Sequence, residues 1–241
     1  MPVSSRTTIV VITHNYGRYL RAAVASAVEQ TARPRVLIMD DCSTDETEEV
    51  VRSLIAEHPN LNCHRSTERR GLAATRNDAA RRVETDWIVY LDADDWLDRR
   101  FIERGAHWLD RHIELDVLTT DMTIVRDGQK PFVSTARAPS SWRYLTRKNT
   151  VVQTSFIRRS MILALGGYDG TLEYEDWDFW IRALKGGYRI GRLPGAHLYR
   201  REHGLNKSKT GDEALMAERV RKRHPVPSRW QALRRAWTGR S

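Results

Sequence analysis

Three short runs constrain the fold: TTIVVIT at 7–13, RVLIMD at 35–40 and WIVYLD at 87–92. Each has the length of a strand and is apolar at nearly every position, not at alternate ones. A strand buried on both faces reads this way, and such strands belong to parallel sheets covered by helices on either side. The stretches between them have helical periodicity, as crossover connections require. Leu20, Ala23, Val24, Ala27 and Val28 share one side of a helix over 18–30, and Val50, Val51, Leu54 and Ile55 one side of the next. STDE at 43–46 reads as a capping box, with Ser43 as the cap and Glu46 three residues on. LNCHRS at 61–66 reads as a short strand and 71–84 as a helix. The pattern predicts an α/β fold with a mostly parallel central sheet and helices on both faces.

The second half is less regular. A helix is expected over 101–112, and two strands over 117–135 around the turn RDGQ. A helix is expected over 155–167, closed by Gly166 or Gly167. Over 175–190 a helix leads into a strand, with Trp177, Trp180, Ile181 and Leu184 at i, i+3, i+4 and i+7.

The formal charge of +9 invites a nucleic-acid reading, but it is unevenly spread. Residues 217–241 hold eight Lys and Arg against Glu218 alone, so +7 lies there and the body keeps only +2. Trp230, Leu233 and Trp237, with Arg229, Arg234, Arg235 and Arg240 around them, fit an amphipathic helix on an anionic bilayer. Phosphate contacts and stacking on nucleic acid, or a plain solvated helix, remain open for this tail. No run approaches the roughly 18 apolar residues of a membrane span, and the first residues lack the basic region of a signal peptide. Cys42 and Cys63 form no CxxC pair, which suits a reduced, cytoplasmic setting with peripheral attachment to the inner membrane face as an option.

Ligands of parallel sheets bind beyond the carboxyl ends of the strands. The first strand ends in Thr13, His14 and Asn15, the second in Asp40 and Asp41, and the third of the long runs in Asp92, Asp94 and Asp95. Gly71 opens the helix that carries Arg76 and Asn77. The loop THNYGR lacks the GxGxxG of a dinucleotide site, and no P-loop is present. Acids meet phosphate only through a metal, and Mg²⁺ and Mn²⁺ typically combine one or two carboxylates with substrate phosphates. A DxD cluster at a strand end therefore suits a metal–diphosphate site, although a solvated, capping turn accounts for the pattern alone.

Six segments taken in order resemble a known family: VVITHNYGRYLRAAVASAVEQT, VLIMDDCSTDET, RRGLAATRNDAA, WIVYLDADDWL, LGGYDG with YEDWDFWIRALKGGYRI, and LYRREHGLNKS. The chain resembles a family-two inverting glycosyltransferase of the GT-A fold, a Rossmann-like nucleotide-diphospho-sugar transferase, over roughly residues 7 to 208. The resemblance implies a nucleoside-diphosphate sugar donor, a UDP-sugar favoured, an acceptor hydroxyl, and Mn²⁺ or Mg²⁺. It implies that Asp41 bonds the nucleobase edge, that His14 lies against the base with Thr13 and Asn15 beside it, and that Gly71 and Arg76 meet the nucleotide. Asp92 would touch the ribose and Asp94 the metal, with Asp95 the alternative ligand. Asp176 would be the general base with Glu175 beside it, and His203 a further metal ligand. His203 lies slightly out of the family register because Arg201 and Glu202 intervene. Arg200, Arg201, Lys207 and Ser208 are alternative diphosphate contacts. Whether desolvation raises the Asp176 pKa more than the helix N-terminus lowers it is open at this level.

The expected organisation is a nucleotide-sugar half at 1–116, an acceptor and base half of the same domain at 117–210, and a basic tail at 211–241. A non-catalytic binding module on a degenerate transferase fold, or a nucleotidyltransferase, is the competing reading.

Overall fold

The computed structural model describes residues 1–204 and 213–226. In chain order the elements are β1 (Thr7–Thr13), α1 (Gly17–Val28), β2 (Arg35–Asp40), α2 (Thr47–Glu57), β3 (Asn62–Arg65), α3 (Leu72–Arg82) and β4 (Trp87–Asp92). They continue as β5 (Trp96–Leu97), α4 (Phe101–Leu109), β6 (Val117–Arg126), β7 (Phe132–Ser134), α5 (Trp142–Leu145) and β8 (Phe156–Arg158). The last are α6 (Arg159–Ala164), α7 (Glu175–Lys185), β9 (Ile190–Glu202) and α8 (Glu213–Arg223). One sheet runs β3-β2-β1-β4-β8-β6-β9-β5, with β7 on β6. The pairs among β3, β2, β1 and β4 are parallel; β8 is antiparallel to both β4 and β6.

The apolar runs are buried on both sides, as their composition demands. Ile9 and Val11 of β1 and Val89 and Leu91 of β4 face a core made with α1, α2 and α4. Val10, Ile12, Ile88 and Tyr90 face a second core made with α3, α6 and α7. This is the two-residue period of a strand read from two sides.

Two expectations need correction. Residues 156–158 form strand β8, not the start of a helix, and only 159–164 are helical. Phe156 belongs to the first core and Ile157 to the second, so successive side chains serve opposite faces as a helix would not allow. Phe156 stacks on Phe101 at 5.1 Å, and a Cβ on Gly105 of α4 would stand 2.1 Å from its ring. Ser43 does not cap α2: its backbone N–H and hydroxyl both donate to Asp40 Oδ1, at 3.0 and 2.5 Å. Asp45 takes the capping role, accepting from the Thr47 N–H at 3.1 Å and from Gly17 N–H at 3.1 Å, which ties α2 to α1. Helix α8 buries Met216, Ala217 and Val220, and His224 is 6% exposed. Asp178, fully buried in α7, accepts from Arg182 Nε at 2.6 Å, Arg223 Nε at 2.9 Å and His224 Nε2 at 2.8 Å. A carboxylate only accepts, so His224 carries its proton on Nε2 and receives Lys185 Nζ on Nδ1 at 2.9 Å. The proposed membrane-facing residues 229–240, with Lys207 and Ser208, lie outside the described residues.

Candidate active site

Register places the acids at one edge of the sheet. Thr13 pairs with Asp40 across β1 and β2, and Ile12 with Asp92 across β1 and β4. Above this edge opens a cavity of about 1270 Å³, which reaches from Asp41 to the N-terminus of α7 and on to the 134–154 segment. Thr13, His14, Asp41, Gly71, Arg76, Asp92, Asp94, Asp95, Glu175 and Asp176 all line it. Asn15 and His203 do not form part of its lining.

At the β1–β2 end Asp41 is 3% exposed, and its two oxygens accept the N–H groups of Arg70 and Gly71, each at 2.8 Å. That bond pair closes the loop before α3 onto the sheet. Gly71 adopts φ +85°, a conformation that side chains resist, and no atom lies within 4 Å of where its Cβ would be. His14 Nδ1 lies 2.8 Å from the Asp41 carbonyl, an acceptor, so Nδ1 carries the proton and the ring is fixed in orientation. Asn15 is exposed and braces the loop, receiving the Thr44 N–H at 2.7 Å on its side-chain oxygen.

The β4–β5 turn separates Asp94 from Asp95. Asp95, 7% exposed, accepts the Arg201 N–H of β9 at 3.0 Å, so it anchors the turn to the sheet. Burial, then Asp94 and Asp92, push its carboxyl well above the ordinary range. Asp94 turns instead to His203, whose Nε2 lies 3.1 Å from its Oδ2. Its carboxyl is also raised, by burial first and by the charge of Asp92 second. Tyr19 stacks on the His203 ring at 5.1 Å, and Tyr16 approaches it at 5.8 Å. Burial and the negative charges of Asp94 and Asp92 push the Tyr16 hydroxyl up to about 12, so it stays a neutral donor. Among the described residues no three His, Cys, Asp or Glu side chains converge as a closed metal cage. A carboxylate and an imidazole 3.1 Å apart fit an ion that takes its remaining oxygens from a diphosphate, and imidazole is compatible with Mn²⁺.

Arg76 links this corner to α7. It is 2% exposed, so it is not a surface charge, and it lines the cavity. Its Nη1 donates to Glu175 Oε1 at 2.6 Å, and its Nη2 lies 3.5 Å from Asp92 Oδ1. Against the desolvation of full burial, Asp92 and Glu175 hold it protonated. Glu175, 4% exposed, is held by this pair, and beside it Asp176 also lines the cavity. Asn149 Nδ2 donates to Asp176 Oδ2 at 3.1 Å. Desolvation in the cavity wall, then the charge of Glu175, raise the Asp176 carboxyl to about 6; Arg76, the helix N–H of Trp177 and Asn149 oppose the rise without cancelling it. Desolvation therefore outweighs the helix terminus. A carboxylate poised near 6 and fixed by an amide suits general-base work at neutral pH.

The match to known proteins decides the family. The model of glycosyl transferase family 2 matches residues 8–164, well over half of the chain. The chain belongs to glycosyl transferase family 2. An uncharacterised glycosyltransferase of Methanocaldococcus jannaschii is 22% identical over 193 residues, covering 76% of this chain and 66% of the relative. Among solved structures, the TarS protein of Staphylococcus aureus in complex with UDP-GlcNAc superposes with a TM-score of 0.71 at 21% identity, covering 86% of this chain and 61% of that one. The mannosyltransferase PcManGT of Pyrobaculum calidifontis, in complex with GDP-Man and Mn²⁺, superposes with a TM-score of 0.66 at 21% identity, covering 87% and 61%. The fold is that of the GT-A glycosyltransferases. The chain spans about 60 to 66% of the length of these relatives. The family match ends before α7, so the place of Asp176 rests on the geometry of this chain.

Sequence reasoning missed several residues of the site. Asn149 stands in a segment without periodicity, and nothing marks it before the chain is folded. Asn77 was noted only as a neighbour of Arg76. It bonds Tyr168 twice, from Nδ2 to the carbonyl at 2.9 Å and from the Tyr168 N–H to Oδ1 at 2.7 Å, and so ties α3 to the loop before α7. Asp178, two residues after Asp176, faces α8 and is structural.

Proposed function

We propose that this family 2 protein moves a sugar from a nucleoside-diphosphate donor, a UDP-sugar first, to an acceptor hydroxyl with inversion and with the help of a divalent metal. The observation that carries this reading is Asp176, a desolvated carboxylate poised near 6 in the same cavity as Asp41 and the acidic turn. Asp41, His14 and Gly71 frame the nucleotide end, and Asp92 the ribose. Asp94 and His203 would hold Mn²⁺ or Mg²⁺, which neutralises charge building on the leaving diphosphate. Asp176 accepts the acceptor's hydroxyl proton as the oxygen attacks the anomeric carbon. The bond from that carbon to the diphosphate oxygen breaks, its electron pair leaves with the diphosphate, and the configuration inverts. Glu175 and Arg76 position the base; they do not touch the acceptor. Binding of UDP-GlcNAc by TarS and of GDP-Man with Mn²⁺ by PcManGT supports a nucleotide-sugar donor here. Among the described residues no helix is long and apolar enough to cross a membrane. The tryptophan-bearing basic tail, on sequence grounds, supports peripheral attachment to an anionic cytoplasmic bilayer.

Transfer or donor hydrolysis measured with a panel of nucleotide sugars and Mn²⁺ tests the reading. Asp176→Asn should lower the rate by roughly 10²–10⁴ while leaving UDP binding intact. Turnover unchanged in Asp176→Asn, or absent with every nucleotide sugar, refutes it.

A further inference from the structure

We propose that the acceptor is anionic, and that Arg137 and Lys148 hold its charged group beside the catalytic base. The inference rests on the transferase reading above and adds the substrate class.

Between Asp127 and Asp169 the chain has neither Asp nor Glu, yet it carries seven Lys and Arg. Some of these have structural work. Arg158 pairs with Asp116 at 3.0 Å, Arg159 donates to the Ala80 carbonyl at 2.8 Å, and Arg143 lies 5.3 Å over the Trp142 ring. Arg137 and Lys148 are different: both are exposed and line the cavity. Among the described residues neither side chain meets an acid, an acceptor or a ring. Arg126, which lines the same wall, is already neutralised by Glu202 at 2.5 Å.

Backbone bonds fix where the two cations stand. The Arg137 N–H donates to the Thr150 carbonyl at 3.1 Å, and Thr150 Oγ1 returns a bond to the Arg137 carbonyl at 3.2 Å. Ala136 N–H is held by Asp121 at 2.9 Å. Asn149, between Lys148 and Thr150, is the residue that bonds Asp176. The two unpaired cations are thus stitched to the segment that positions the base. A smaller cavity of about 210 Å³, lined by Arg137, Ser140 and Tyr144, adjoins the large one and shares Arg137 and Tyr144 with it.

A solvated cation needs no partner, but an acid-free stretch that leaves two cations facing a cleft places positive charge on that side of it. Of the acids that line the cavity, Glu175 and Glu202 are paired with Arg76 and Arg126, Asp41, Asp92, Asp94 and Asp95 stand at the sheet edge, and Glu173 and Asp176 lie just before and at the start of α7. Asp176 loses its charge as it takes the hydroxyl proton, so an anion held nearby is repelled less in the transition state than before it. The anion is phosphate or carboxylate, which an arginine fork recognises alike. It takes no part in bond making; the hydroxyl of the same acceptor does.

Thermal denaturation with UDP and MnCl₂ at saturation, so that the diphosphate end is filled, tests this. Glycerol 3-phosphate, glycerate and glycerol are then titrated into the wild type, Arg137→Gln, Lys148→Gln, the double variant, and Lys130→Gln, a cation of the same stretch off the cavity lining. The expected result is a further rise in Tm with an anionic probe and none with glycerol. The apparent Kd should weaken roughly tenfold or more in the double variant, while the UDP and Mn²⁺ shift persists and Lys130→Gln behaves as wild type. A larger response to glycerol 3-phosphate assigns phosphate, and a larger response to glycerate assigns carboxylate. An equal response to glycerol, no response to either anion, or an undiminished response in the double variant overturns the inference. Failure of UDP and Mn²⁺ to shift the wild type overturns the transferase reading instead.

Discussion

Arg76→Met perturbs the centre of the site. The guanidinium side chain is 3% exposed and that of Glu175 6%, so the substitution leaves a carboxylate buried without its cation. Breaking a buried pair from one side costs about 3–5 kcal/mol. That is a large part of the roughly 5–15 kcal/mol that holds a domain together. Asp92 adds little to the cost, since its side chain is 41% exposed and its contact is long at 3.5 Å. A second variant, Arg76→Met with Glu175→Leu, removes both charges and should recover most of the loss, because apolar replacement of a buried pair is often close to neutral. Urea denaturation of the wild type, both single variants and the double variant closes the cycle, with equal m-values as the check that only stability changed. A cost below about 1 kcal/mol for Arg76→Met, the scale of a surface charge, refutes the assignment, as does additivity of the two single variants. Activity supplies an independent readout. Arg76 holds the Asp176 carboxyl down against burial and Glu175. Without it the pKa rises, the base is protonated over a wider range, and the acid limb of the rate profile moves to higher pH.

The wild-type rate should fall as pH drops through about 6, with unit slope in log kcat/KM, as Asp176 gains its proton; a flat profile between pH 5 and 7 counts against it as the base. Asp94→Asn should abolish the Mn²⁺-dependent part of the UDP-induced Tm shift, whereas Asp95→Asn, whose amide oxygen can still accept the Arg201 N–H, should keep it. Against its own desolvation, hydrogen bonds from His224 and Arg182 hold the Asp178 carboxyl below the usual range. Its contribution to stability is therefore full above pH about 4 and is lost as pH falls through the depressed folded value; Asp178→Asn should lower stability at pH 7 and flatten the acid limb of the stability curve. Gly71→Ala should cost about 1–3 kcal/mol through backbone strain alone, since nothing crowds the new methyl group, and a urea midpoint equal to wild type would contradict the assigned φ.

The donor half of the fold was legible because its signal is local. Strands β1, β2 and β4 are buried on both faces, so their apolar runs announce them, and the acids at their ends fall in line through register alone. The second half hid for tertiary reasons. Residues 155–167 have helical periodicity, but Phe156 and Ile157 are claimed by opposite cores, and that claim exists only once β4 and β6 are in place. Strand β9 runs through Pro194 and Gly195 with register shifts beside β6, a pattern that sequence rules demote. The acidic corner was readable as a cluster but not in its division of labour. Only the Arg201 N–H, brought from β9, shows that Asp95 is an anchor and Asp94 the acid left for His203. Arg76 looked like one helix charge among several because burial at position 76 depends on α7, almost a hundred residues later.

The acid run that opens α7 divides its members between two tasks. Asp176 serves the cavity, and two residues on Asp178 clamps Arg223 and His224. Less than one helical turn lies between them. Shortened versions of the chain for crystallisation or engineering therefore have a hard stop: a cut before His224 strips the clamp from the helix that carries Asp176. Deletions that reach His224 should therefore destabilise α7, since they remove a partner of the buried Asp178.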